Sequence, residues 1–125
     1  MYTVTVTTFF SAAHRLRDYD GNCERLHGHN WKVEVGLAGR RLDKLGMLVD
    51  FRAAKDAVRR AIDDLDHAYL NDLPPFTEQN PTTENLARQI CERVGAALPP
   101  GADARVAHVR VWESEGCAAT YAPEG

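Results

Sequence analysis

The residues of this 125-residue chain whose types and spacing most directly suggest chemistry are His27, Gly28 and His29. In an extended segment, residues two apart project from one face, so both imidazoles can reach a single ion. Gly28 between them removes side-chain bulk and permits close backbone approach. A His-x-His pair alone also fits a surface or hydrogen-bonded pair, so a third ligand is needed. His14 supplies it if the first two strands pair. Three neutral imidazoles suit Zn²⁺ ahead of Mg²⁺ or Ca²⁺, which prefer oxygen, with iron as the alternative. Three protein ligands leave the fourth position to water or substrate, as in catalytic zinc sites. A Lewis acid placed there polarises a hydroxyl or carbonyl. The expectation is a small metalloenzyme with zinc on His14, His27 and His29.

Other residues have two readings each. Cys23, four positions before His27, is either a fourth ligand that closes the site or a thiol acting as base or nucleophile beside the metal. The second role needs a pKa lowered by a nearby cation. Asp66-His67 is either a polar helix end or a carboxylate–imidazole pair for general-base work, and neighbours in sequence pair only if the backbone bends. Glu113 reads as a solvated turn residue, or as a carboxylate accepting from an amidine-like N–H pair on a heterocycle. His108 reads as a satisfied strand histidine, and Cys91 and Cys117 as small buried hydrophobes.

The elements that position these groups follow from periodicity. Tyr2 to Phe10 alternates with period two and is rich in β-branched residues, and Trp31 to Arg40 repeats the pattern. Between them RLRDYDGNCERL is a polar loop with a turn at Asp20-Gly21-Asn22. Asp50 caps a helix whose apolar stripe is Phe51, Ala54, Val58, Ala61, Ile62 and Leu65, roughly four turns. Thr82 or Thr83 caps a second helix, striped by Leu86, Ile90, Val94 and Ala97 and ended by Pro99-Pro100-Gly101. Arg105 to Trp112 and Cys117 to Tyr121 form a hairpin around Ser114-Glu115-Gly116. The order strand, strand, helix, helix, strand, strand predicts an α+β domain with an antiparallel sheet covered on one face.

Bulk properties exclude several classes. A net charge of −3 gives no electrostatic case for nucleic acid or an anionic membrane, and 44% hydrophobic with 26% charged residues is ordinary for a globular protein. No apolar run approaches the ~20 residues of a membrane span. The alternating N-terminus lacks a signal-peptide h-region. Three scattered cysteines make no disulfide framework. A reduced, cytoplasmic protein with one domain over residues 1–125 is expected.

Six blocks in order carry a resemblance: FSAAHRL at 10–16, CERLHGHNW at 23–31, GMLVDF at 46–51, LDHAYLND at 65–72, NPTTENLA at 80–87 and VWESEGC at 111–117. In them the chain resembles the 6-pyruvoyl-tetrahydropterin synthase / 6-carboxytetrahydropterin synthase family almost from end to end. The resemblance implies the tunnelling fold, with trimeric barrels stacked as a homohexamer and active sites between subunits. It implies His14, His27 and His29 as zinc ligands and Cys23, Asp66 and His67 as catalytic residues. Glu113 would anchor the pterin ring, with Thr82, Thr83 and Glu84 near that pocket. The implied substrate is 7,8-dihydroneopterin triphosphate, with Arg15, Arg17 and Arg25 as candidates to attract its phosphates.

Two branches of the family share this chemistry. The short C-x3-HGH spacing resembles the bacterial carboxy branch, which yields 6-carboxytetrahydropterin, acetaldehyde and triphosphate in 7-deazaguanine (queuosine) biosynthesis. The pyruvoyl branch, with a longer spacing in animals, stops after triphosphate loss and internal redox rearrangement. A folate-pathway branch carries glutamate where Cys23 stands here. A zinc- or pterin-binding module without turnover is the reading from a different class, and it requires Cys23 as a fourth zinc ligand.

Overall fold

The computed structural model describes residues 1–20 and 24–123; Cys23 and the Gly21-Asn22 part of the expected turn therefore lie outside the described residues. Five strands form one sheet in the order β3-β1-β2-β4-β5. They are β1 (Tyr2–His14), β2 (His27–Gly39), β3 (Ala68–Tyr69), β4 (Arg105–Ser114) and β5 (Cys117–Tyr121), with helices α1 (Phe51–Ile62) and α2 (Thr83–Ala97). All neighbours are antiparallel except β3, a short parallel addition to β1 at Ala12 and Ala13. This two-residue strand and two single-turn 3₁₀ helices between α1 and α2 are absent from the expected order, being too short to show a period.

β1 and β2 pair over their whole lengths, from Tyr2 opposite Gly39 to His14 opposite His27. Both strands run further toward the polar loop than alternation predicts. The reason is mutual: His27 to Asn30 find main-chain partners in Ser11 to His14, so neither segment needs strong strand propensity of its own. Directly opposed residues share a face. Val6, Phe10, Ala12 and His14 therefore lie on the same side as Trp31, Val33, Val35 and Leu37.

That inner side is the core. It packs with Val106, Val109 and Val111 of β4, Ala54, Val58 and Ile62 of α1, and Leu86, Ile90 and Val94 of α2. Asp50 caps α1, accepting from Arg52 N at 2.8 Å. The helix stops at Ile62, earlier than the stripe predicts; Leu65 is still fully buried, but from the turn that follows. Phe51, placed on that stripe by spacing, is 60% exposed because it stands in the first turn beyond the edge of the core. Cys91 is buried as expected, whereas Cys117 is exposed where it opens the edge strand β5.

Among the described residues the outer side of the sheet carries no helix. His108 accepts the expected structural reading: its Nε2 lies 2.9 Å from Glu34 Oε2 across that face. A Cβ on Gly36 would stand 2.2 Å from the His108 ring, so the ring lies where only glycine leaves room. Among the described residues no helix is long and apolar enough to cross a membrane.

Candidate metal centre

The loop end of the β1–β2 hairpin carries the three histidines. His14 closes β1 opposite His27, and His29 stands opposite Ala12, so all three imidazoles project to the inner face. Their ring centroids are 4.7, 4.7 and 5.2 Å apart, edge to face. Trp31 forms the floor, its ring 4.9 Å from His14 and 5.2 Å from His29, with its indole N–H donating to Ala12 O.

Hydrogen bonds fix which nitrogens are free. His14 Nδ1 is 2.8 Å from Pro81 O, and His27 Nδ1 is 2.8 Å from Arg25 O. A carbonyl only accepts, so each Nδ1 carries the proton and each Nε2 keeps its lone pair. His14 Nε2 and His29 Nε2 are buried without a hydrogen-bond partner among the described residues. An unpaired buried ring nitrogen is costly, and two in one cluster fit a cation that takes a lone pair from each. Burial pulls the pKa of His29 below 6.5, with Glu113 opposing, which favours the neutral, ligating form. The donor set therefore fits a metal ion held by His14, His27 and His29.

Glu113 joins this cluster. Alternation from Val109 and Val111 turns it to the inner face of β4, so it belongs to the strand and not to the hairpin tip. Its oxygens lie 3.6 Å from His29 Nε2 and 3.8 Å from His14 Nε2. Thr83 Oγ1 donates to it at 3.4 Å. Thr82 is beside them, but its hydroxyl is occupied as the α2 cap, accepting from Asn85 N at 3.1 Å. Glu84 is exposed in the first turn of α2.

Asp66 and His67 lie elsewhere. Asp66 Oδ1 accepts from Ser11 N at 2.9 Å and lies 3.0 Å from His67 Nδ1. The Ser11 amide, then His67, holds the Asp66 carboxyl below its ordinary 3.8. The required backbone bend is present, since His67 has φ of +59°, an uncommon conformation for a residue with a side chain. Ser11 faces the outer side of the sheet, opposite Asn30. There Ser11, Ala13, Gly28, His29, Asn30, His67 and Tyr69 line a hollow of about 560 Å³. Ser11, Ala13, Gly28 and Asn30 thus face away from the side on which the three imidazoles project. Gly28 is the floor of that hollow, where an added Cβ would meet nothing closer than Ala12 O at 3.9 Å.

Residues outside the motif spacing hold the centre together. Asn71 bonds both the N–H and the C=O of Arg15, and Asn80 does the same for Arg17, so two side-chain amides continue β1 as a strand partner would. Asn85 Nδ2 and Thr82 N both donate to Asn80 O, which locks the turn that presents Pro81 O to His14. The Arg17 guanidinium donates to the carbonyls of Asn71, Phe76 and Gln79, so its charge is committed to the fold, whereas Arg15 and Arg25 are exposed. The Asn-Pro dipeptide before a capping threonine is the one local signal of this clamp.

Comparison with known proteins places these observations among relatives. The family model described as 6-pyruvoyl tetrahydropterin synthase matches residues 3–124. A 6-carboxy-5,6,7,8-tetrahydropterin synthase of Rickettsia felis is 28% identical, covering 86% of this chain and 91% of its own length. A dihydroneopterin monophosphate aldolase of Pyrococcus furiosus is 36% identical over 83% of this chain and 82% of its own. The solved 6-pyruvoyl tetrahydropterin synthase of Caenorhabditis elegans superposes with a TM-score of 0.82 at 25% identity, covering 98% of this chain and 96% of that one.

Proposed function

Because the chain belongs to the 6-pyruvoyl tetrahydropterin synthase family, whose tunnelling fold it shares, we propose that it is a zinc-dependent 6-carboxytetrahydropterin synthase. It would convert 7,8-dihydroneopterin triphosphate to 6-carboxytetrahydropterin, acetaldehyde and triphosphate. The observation that carries this reading is the buried, partnerless Nε2 of His14, aimed with His27 and His29 at a point that Glu113 also reaches. The short Cys23-to-His27 spacing and the name of the Rickettsia relative support the carboxy branch.

His14, His27 and His29 would hold the zinc ion, which when bound supplies Lewis acidity to the side-chain hydroxyls of the substrate. Glu113 accepts the amidine N–H pair of the pterin, orienting the ring so that its side chain meets the metal, with Thr82, Thr83 and Glu84 on the adjoining turn. Asp66 accepts from His67 Nδ1–H, which leaves His67 Nε2 as a base; Cys23 is the second proton carrier on the substrate side chain. With His67 on the hollow at the outer side of β1 and β2 and the trio facing inward, a complete site would take the pair from a neighbouring subunit. A homohexamer of two stacked trimers, each chain one domain over residues 1–125, provides that neighbour. Its substrate is a small cytoplasmic pterin, with no nucleic acid or membrane as partner.

The test is product identification after incubation with dihydroneopterin triphosphate and no reductant. Acetaldehyde with a 6-carboxypterin is the expected result. A pyruvoyl product moves the chain to the other branch, and pterin binding without turnover makes it a binding module. Cleavage of dihydroneopterin monophosphate in preference to the triphosphate would align it with the Pyrococcus relative.

A further inference from the structure

Glu113 has two claims on one carboxylate. The pterin reading, on which this inference rests, gives its oxygens to the ring. The geometry gives them a second partner: a Glu113 oxygen and one nitrogen from each of His14, His27 and His29 all lie within 4.8 Å of one another. Ligand atoms set tetrahedrally ~2.0–2.1 Å from a zinc ion are separated by about 3.3 Å. One Glu113 oxygen lies 3.6 Å from His29 Nε2 and the other 3.8 Å from His14 Nε2, so a side-chain rotation brings one oxygen into the set. Thr83 Oγ1 holds it from the α2 side, and the strand alternation already points it inward.

Charge favours the same arrangement. Three neutral imidazoles leave the whole divalent charge of the ion uncompensated, in a pocket walled by Trp31 and buried at His14. An adjacent carboxylate is the natural counter-ion. We propose that Glu113 is the fourth metal ligand when no pterin is bound, and that the pterin ring withdraws it. The open position on the metal is then created by ring recognition and is closed to water-borne ligands at other times. Substrate binding and metal activation become one event, gated by a single side chain.

The experiment uses the full-length protein loaded with Co²⁺ in place of zinc and reads the visible absorption of the metal. Its arms compare wild type, E113Q and E113D without ligand, then repeat each with unsubstituted pterin, which has the ring and no side chain. Ligand-free wild type and E113Q should differ in spectrum, and E113Q should hold the metal about tenfold more weakly. Adding pterin should shift wild type toward the ligand-free E113Q spectrum. E113D, which keeps the charge on a shorter arm and guards against a folding defect in E113Q, should give a third, intermediate spectrum. Identical ligand-free spectra for wild type and both variants overturn the proposal. If pterin binds, as followed by its fluorescence, yet leaves the wild-type spectrum unchanged, the gate is wrong while the pterin reading stands. If pterin does not bind, the pterin reading fails and the gate with it, while the ligand-free comparison still decides whether Glu113 coordinates.

Discussion

His14 is the histidine whose surroundings leave it least freedom: 2% exposed, donating to Pro81 O and packed edge-on against Trp31. His14→Ala should yield protein without bound metal and without turnover, measured by elemental analysis beside an activity assay. Cys23→Ala separates the two roles open to that thiol: retention of metal with loss of activity marks a proton carrier, whereas a metal-free variant marks a ligand. Asp66 lends itself to a pH test. The Ser11 amide and His67 hold its carboxyl below 3.8, so at acid pH the folded chain binds fewer protons there than the unfolded chain. Its contribution to stability is complete above that value and is lost as pH falls through the lower, folded one. The urea midpoints of wild type and Asp66→Ala should therefore differ at pH 6 and converge in strong acid. The same variant should lose about 100-fold or more in turnover at pH 7, since His67 loses the group that fixes its tautomer.

At the scale of elements, the centre depends on segments that touch neither metal nor substrate. Asn80 joins the extension of β1 to the turn that offers Pro81 O. Asn80→Ala should weaken metal affinity by about 10–100-fold with the fold intact, checked by chelator competition and circular dichroism. Gly36→Ala puts a methyl into the His108 ring and should cost about 1–3 kcal/mol of stability, read from denaturant midpoints. The long alternating hairpin and both helices were legible because each rests on short-range periodicity, and the histidine trio because that hairpin's pairing brings His14 to His27. The clamps by Asn71 and Asn80 were not: they join side chains to main chain across more than fifty residues, which local spacing does not encode. The strand ends at His14 and His27 depend on the pairing itself, as each segment is a strand only because the other is beside it. Glu113 is a different case. The alternation Val109, Val111, Glu113 points it inward, and a reading of turn propensity at the hairpin tip overrode that signal.

For the whole molecule, His67 borders the hollow on the outer side of β1 and β2, while the histidine trio projects inward. Large apolar side chains at Tyr2, Phe9, Leu26 and Phe51 are also exposed in the single chain, as surfaces that neighbours would cover. If each site is completed by a neighbour, two inactive variants can rescue one another. Unfolding and refolding His29→Ala together with His67→Ala in equal amounts should restore about a quarter of wild-type sites, because random assembly pairs two intact halves that often. Either variant alone should stay inactive, and sedimentation should show six-chain particles in all three samples. The hairpin also sets an order of events in the cell. All three imidazoles belong to β1 and β2, which leave the ribosome before any residue of α1. The nascent hairpin already carries the three imidazoles that could capture metal, while Pro81 and Glu113 follow only after α1. Metal acquired that early would be a nucleus around which the helices close, and zinc supply during translation would govern the yield of folded protein.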